Sequence, residues 1–263
     1  MIRVANAPVS YGAFELTVGV LPNVPDPDDV LGAIAGAGYE GTELGPVGYL
    51  GRGAELRERL ERHGLALAGA FVELRFGDGD YAPLEATLDA IDGFHARAVL
   101  CDRGPRDGDV DLDGVRAATE LTRTRGFTPV FHHHMGTRVE TTAEIERLLE
   151  STDVDLLLDT GHAVAGGGDP GEALRRWRDR IGHVHVKDVR LEILRRAADW
   201  DDAWQNGVFC ELGSGDVDLG TFLSDLVAGG YDGWIVVEQD RFPGDLPEAA
   251  RAQARNRRWL AEL

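Results

Sequence analysis

Eight short apolar runs rich in β-favouring residues alternate with longer helical stretches along the whole 263-residue chain, and this order predicts a closed (β/α)8 TIM barrel. Strand-then-helix alternation is the pattern of parallel strands joined by right-handed crossovers. Eight buried parallel strands left as an open sheet would expose two edges, so closure is the economical arrangement. With 43% apolar residues and no long charged or low-complexity block, the chain reads as a single domain with a sizeable core.

The strands are expected over residues 2–7, 41–44, 66–72, 98–102, 128–133, 154–159, 183–187 and 234–238. The helices fall between them, over 25–38, 54–63, 83–97, 113–125, 142–151, 170–180, 219–229 and 246–263. The first, PDPDDVLGAIAGAG, opens on prolines and aspartates that suit a helix N-terminus and closes on glycine. Thr141 is the cap candidate of the fifth, with Glu144 three residues on. One connection breaks the rhythm. Residues 189–213, after the seventh strand, form an extended loop carrying Trp200 and Trp204. Long loops in compact domains tend to be functional. This one is expected either to act as a lid over the C-terminal face or to bury its tryptophans in a homo-oligomer contact.

A net charge of −19 repels phosphate backbones and anionic membrane surfaces alike, which argues against nucleic-acid and membrane partners and for a small-molecule substrate. Cys101 and Cys210 are too few and too far apart for a disulfide framework, so a reducing compartment is expected. The opening MIRVANAPVSYG lacks the apolar stretch and cleavage site of a signal peptide, and no segment approaches the roughly 20 apolar residues of a membrane span. A soluble, cytoplasmic protein is the expectation.

In a (β/α)8 barrel, a polar residue ending an apolar run points into the mouth where chemistry is done. Four runs end that way: FHHHMG with His132 or His134, LLLDTGH with Asp159, VHVKD with His185, and WIVVEQD with Glu238. Strand alternation places His132 and His134 on one face and His133 on the other, and pairs His183 with His185. Each taken singly could be structural, but four ionisable groups buried on consecutive strands are costly without a metal or substrate. Imidazoles with carboxylates suit Mn2+, Co2+, Fe2+, Mg2+ or Zn2+. Glu43, His162, Lys187 and Glu211 also lie near the expected mouth. A lysine beside a dication can have a depressed pKa and move protons; the alternative for Lys187 is a salt bridge to Asp159, Asp188 or Glu238. The tract AGGGDP lacks the lysine and spacing of a phosphate loop, and no G-x-S-x-G element is present.

The motifs NAPVSYG, GYEGTELGPVGYL, HHHMGTRVETTAEI, LLLDTGHAVAGGGDP, HVHVKDV, ELGSGDVDL and GWIVVEQD span nearly the whole chain in order. Together they resemble the xylose isomerase-like TIM-barrel superfamily of sugar isomerases and epimerases, and within it the inosose dehydratase-like branch. The resemblance implies a metal set of one residue from each of strands five to eight, here His132, Asp159, His185 and Glu238. His132 stands where many members carry glutamate, with His134 in reserve as ligand or substrate contact. Tyr11, where tryptophan is expected, and the shorter chain depart from the branch. The leading expectation is a lyase dehydrating an inosose-type ketone, with Mn2+ or Co2+ as the ion: Glu238, Lys187 or a histidine of the HHH tract would take the proton, His162 or Glu43 would assist loss of the hydroxyl, and Asn6, His134 and Glu211 are candidate substrate contacts. The rival is a metal-dependent sugar isomerase or ketose epimerase. A DNA-repair endonuclease on this barrel needs further zinc ligands, absent as any D-x-H element after HVHVKD, and a non-catalytic sugar-binding protein needs no metal at all.

Overall fold

A computed structural model describes residues 2–104 and 106–263. Its strands are β1 (Arg3–Asn6), β2 (Gly41–Glu43), β3 (Ala66–Leu74), β4 (Arg97–Asp102), β5 (Thr128–His132), β6 (Asp155–Asp159), β7 (Ile181–Val186), β8 (Asp188–Val189), β9 (Phe209–Cys210) and β10 (Trp234–Val237). The helices are α1 (Pro27–Gly36), α2 (Gly53–His63), α3 (Ala82–Ala90), α4 (Leu112–Thr124), α5 (Thr142–Ser151), α6 (Thr160–Ala165), α7 (Pro170–Trp177), α8 (Leu191–Arg196), α9 (Trp200–Gln205), α10 (Leu219–Ala228) and α11 (Leu246–Ala261). Strands β1 to β7 and β10 form a closed parallel barrel in which β10 pairs with both β7 and β1. The expected barrel is therefore the observed one.

Side-chain parity along each strand decides what faces the barrel axis. Val99, Val130 and Leu157 pack with Phe71 in one interior layer, and Ala5, Ala7, Ala68 and Val236 in another. Their strand neighbours Leu100, Phe131, Leu156, Leu158, Ile235 and Val237 join the large outer core against the helices, as do Val184, Val186 and Leu44. Continuing each alternation toward the C-terminal end turns Glu43, His132, Asp159, His185 and Glu238 inward. The same rule turns Asn6 and His133 outward, toward the helices.

The helix ends follow local chemistry. Thr141 and Glu144 make the expected capping box at α5. Asp26 accepts from the Asp28 N–H ahead of Pro27, so α1 begins two residues later than expected. The expected helix over 83–97 stops at Ala90, because Gly93 turns with φ of 77° and Arg97 already belongs to β4. A short helix the sequence reading lacks, α6, is capped by Asp159 itself, whose Oδ1 accepts from the N–H groups of Gly161 and His162 at 2.8 and 2.9 Å.

The long loop over 189–213 is an ordered unit: β8 and β9 pair antiparallel, and α8 and α9 fold over them. Val189, Ala203, Val208 and Phe209 form its core, with Leu191, Ile193, Trp200 and Trp204 packed around them. Asp188 ties this unit to the barrel. Its buried carboxylate accepts from the N–H groups of Val189, Gly213, Gly215 and Val217 at 2.9 to 3.2 Å. Asp188→Ala strands those donors, and hydrogen bonds to a charged acceptor contribute about 1.5 to 3 kcal/mol each. Denaturant unfolding should therefore show a loss of at least about 3 kcal/mol; a loss below about 1 kcal/mol would contradict this role for Asp188.

Candidate active site and metal centre

Four of the inward residues, Glu43, His132, His185 and Glu238, line a cavity of about 280 Å³ at the C-terminal mouth, and Asp159 is buried behind it against His185 and Lys187. Glu43, His132, His185, Lys187 and Glu238 line its deeper part, with His134 and Asp240 beside them. Phe14 and Trp204 form an aromatic wall, and Glu15, Glu73 and Arg103 reach the opening. Register sets the depth of the deep group: Asp159 is level with His185, and His185 with Val236, two residues before Glu238. Thr160 braces the ends of β6 and β7, donating its hydroxyl to the Lys187 carbonyl at 2.7 Å and accepting from the Lys187 N–H at 2.9 Å.

The three strand-end histidines of the HHH tract separate by role. His132 Nδ1 lies 2.5 Å from the His133 carbonyl, so that nitrogen carries the proton and Nε2 presents a lone pair 3.8 Å from Asp159 Oδ2. Burial, reinforced by His185, holds His132 well below the usual histidine range. His133 points outward and accepts the Asp159 N–H on Nε2 at 3.2 Å, which makes it structural. His134 donates from Nδ1 to the Met135 carbonyl at 2.8 Å, and its ring lies 3.9 Å from that of His162. Burial, with Lys187 nearby, lowers its pKa to about 4.

On the next strands the charges are balanced by contact. Asp159 Oδ2 lies 3.2 Å from Lys187 Nζ and 3.6 Å from His185 Nδ1. Burial alone would raise the Asp159 pKa, but Lys187 and His162 outweigh it and hold the carboxyl ionised. Glu238 Oε2 faces both His185 Nδ1, at 2.9 Å, and Lys187 Nζ, at 3.0 Å. Burial would likewise raise Glu238, and His185 and Lys187 reverse it. For Lys187, burial would lower the pKa, but Asp159, Asp240 and Glu238 drive it well above the usual lysine range. The protein's own groups thus keep this lysine charged rather than depressed. Its ion pairs are to Asp159, Glu238 and Asp240, while Asp188 is committed to backbone donors.

Asp240 is a site residue that the sequence reading missed. Its Oδ2 lies 3.0 Å from Lys187 Nζ, and burial raises its pKa to about 6. The available signal was parity, since it stands two residues beyond Glu238. Glu73 and Arg103, 3.7 Å apart at the opening, were missed as well. His162 is in the site by a different route, on α6, with Nε2 at 3.0 Å from Lys187 Nζ.

Two expected substrate contacts lie elsewhere. Asn6 faces the helix layer, as parity requires, and donates from Nδ2 to Gln253 Oε1 of α11 at 2.9 Å. Glu211 is paired through both carboxylate oxygens with Arg255, each at 2.6 Å, outside the cavity lining. Glu43 is inside, but its Oε1 is engaged by His183 and His185 at 3.0 and 3.1 Å.

The donor set fits a divalent cation. One ligand atom from each of His132, Asp159 and His185 lies within 4.8 Å of the others, all buried, and Glu238 Oε2 adjoins His185. Ligands that sit roughly 2.0 to 2.2 Å from a shared ion have separations of this order. Asp159 Oδ2 and His185 Nδ1 are buried without a hydrogen-bond partner of proper geometry, as atoms awaiting a ligand would be. Glu43, His183 and His185 form a second close group on the other side of the same ring.

Residues 31–263 match the family model of the xylose isomerase-like TIM barrel. The chain is 33% identical to an inosose dehydratase of Geobacillus kaustophilus, with 92% of this chain and 88% of the relative covered. An inosose dehydratase of Salmonella typhimurium is 34% identical, with 81% of each chain covered. The crystal structure of the IolI protein with a zinc atom superposes with a TM-score of 0.71 at 16% identity, covering 99% of this chain and 97% of that one, a likeness of fold. The match of barrel, sequence and length together means that this chain belongs to the xylose isomerase-like TIM barrel family.

Proposed function

We propose that the chain is a divalent-metal-dependent lyase that dehydrates an inosose-type polyhydroxy ketone. The observation that carries this reading is the convergence of His132, Asp159, His185 and Glu238 from four successive strands beside a charged Lys187 and the low-pKa imidazole of His134. The names of the inosose dehydratase relatives support the substrate class, and the zinc atom of the structurally similar IolI protein supports the metal. Mn2+ or Co2+ is the proposed ion, with Mg2+, Fe2+ and Zn2+ as alternatives, because imidazole with carboxylate suits all of them. No nucleic-acid or membrane partner is proposed. The free, buried Cys101 and Cys210 suit a cytoplasmic setting, and among the described residues no helix is long and apolar enough to cross a membrane.

His132 Nε2, Asp159, His185 Nδ1 and Glu238 would hold the ion. When bound, it supplies the Lewis acidity that makes the C–H next to the substrate carbonyl acidic. His134 takes that proton in this reading, because Nδ1 is committed to Met135 and Nε2 is left as a base. Glu238 is retained for the ion and for Lys187. The Lys187 ammonium gives a proton to the departing hydroxyl, which leaves as water; Asp240, 3.0 Å from Nζ with its pKa raised to about 6, is placed to restore it, and His162 Nε2 orients Nζ by accepting from it at 3.0 Å. Phe14 and Trp204 close one side of the cavity against bulk water.

Incubation with 2-keto-myo-inositol and Mn2+ or Co2+ should yield an enone-type absorbing product that a chelator abolishes. No product from metal-loaded protein would sink the reading, and interconversion of ketoses instead would install an isomerase or epimerase. Two variants separate the histidines: His132→Gln should lose metal in a binding titration, whereas His134→Gln should bind metal as wild type does and lose about 100-fold or more in kcat. The reverse pattern would exchange their roles. Lys187→Met should cost kcat by about 100-fold or more with KM little changed, as loss of a proton donor predicts; a KM effect alone would reduce Lys187 to a binding group.

A further inference from the structure

His185 is held from both sides of its ring. Nδ1 faces Glu238 Oε2 at 2.9 Å and Asp159 Oδ2 at 3.6 Å, toward the other candidate ligands. Nε2 faces Glu43 Oε1 at 3.1 Å, and the same oxygen lies 3.0 Å from His183 Nε2. Glu43, His183 and His185 are all buried. A carboxylate oxygen can only accept, and an imidazole nitrogen that faces it in a hydrogen bond carries the proton. Glu43 therefore keeps a proton on Nε2 of His185, while Nδ1, whose approach to Glu238 lacks hydrogen-bond geometry, is the nitrogen left to give up a proton and bind an ion. His183 supplies a second N–H to the same oxygen, and its own Nδ1 is buried without a partner, as the unprotonated nitrogen of a neutral ring would be.

The backbone makes room for this arrangement. Gly69 is the register partner of Glu43, and a Cβ at that position would lie 2.5 Å from Glu43 Oε1. The carboxylate thus fills the volume that a side chain on β3 would otherwise take. His132 is oriented by a different device, its Nδ1 on the His133 carbonyl, so the two imidazoles present opposite nitrogens: Nε2 from His132 and Nδ1 from His185.

We propose that Glu43, backed by His183, is a positioning residue that fixes the orientation and tautomer of His185, so that His185 binds a divalent ion through Nδ1. This rests on the reading of the site as a metal centre and replaces the expected role of Glu43 as a proton donor. Carboxylate partners of ligating histidines typically govern 10- to 100-fold in metal affinity, roughly the effect sought here.

The test uses the full chain labelled with 15N-histidine and loaded with Zn2+, a diamagnetic probe, together with a Zn2+ titration. Two-bond 15N–1H correlations in wild type should show His185 protonated at Nε2 and shifted by metal at Nδ1. Glu43→Leu should weaken Zn2+ binding by about 10- to 100-fold, and Glu43→Gln, which keeps an acceptor oxygen and covers the case in which the leucine variant fails to fold, should recover most of that loss. Zinc bound through Nε2 of His185 overturns the proposal, as does a folded Glu43→Leu that binds as tightly as wild type, or a Glu43→Gln as weak as the leucine variant. A wild type that takes up no zinc overturns the metal reading itself and this proposal with it.

Discussion

Carboxylates are not taken out of water at the mouth of a barrel unless cationic groups go with them. Asp159, Glu238, Asp240 and Glu43 are packed there around Lys187 and His185, with contacts of 2.9 to 3.2 Å carrying most of the compensation. The local structure is arranged to meet that requirement. Asp159 has one oxygen tied to the first turn of α6, Thr160 clamps the backbone of Lys187, and Gly69 leaves space for Glu43. A dication bound by the same carboxylates would join an electrostatic arrangement that already stabilises positive charge.

The inward set is a consequence of strand parity, and that is why so much of it was legible. Apolar runs located the strands, their last residues named Asp159, His185 and Glu238 and left His132 and His134 as alternatives until the family resemblance favoured His132, and period-two alternation sorted His133 from its neighbours. The same alternation, applied to the first strand, would have turned Asn6 away from the mouth; its place in a motif that resembles the family's outweighed the geometry. Asp240 was readable by parity and passed over because it lies just past the apolar run. Glu211 was not readable, since its partner Arg255 is 44 residues away on α11 and nothing local signals the pair.

Other features were beyond the sequence for a physical reason. The unit between β7 and α10 has too few apolar residues in regular spacing to announce two helices and a ribbon, and its fold depends on Asp188 gathering four backbone donors from residues up to 29 positions away. Trp204 then reaches the cavity wall, where its indole N–H donates to the Asp240 carbonyl at 3.1 Å and its ring packs on Phe14 and Phe242. Of the two roles expected for this segment, covering the mouth is the one to which Trp204 is suited within a single chain. The insertion and the strand ends that form the candidate site are thus one construction, joined through Asp240.

The most direct test of the account is the anomalous scattering of crystals grown with Mn2+. One strong peak is expected within bonding distance of His132 Nε2, Asp159, His185 Nδ1 and Glu238. A peak centred on His134 and His162, or none at the barrel mouth at full Mn2+ loading, would contradict it.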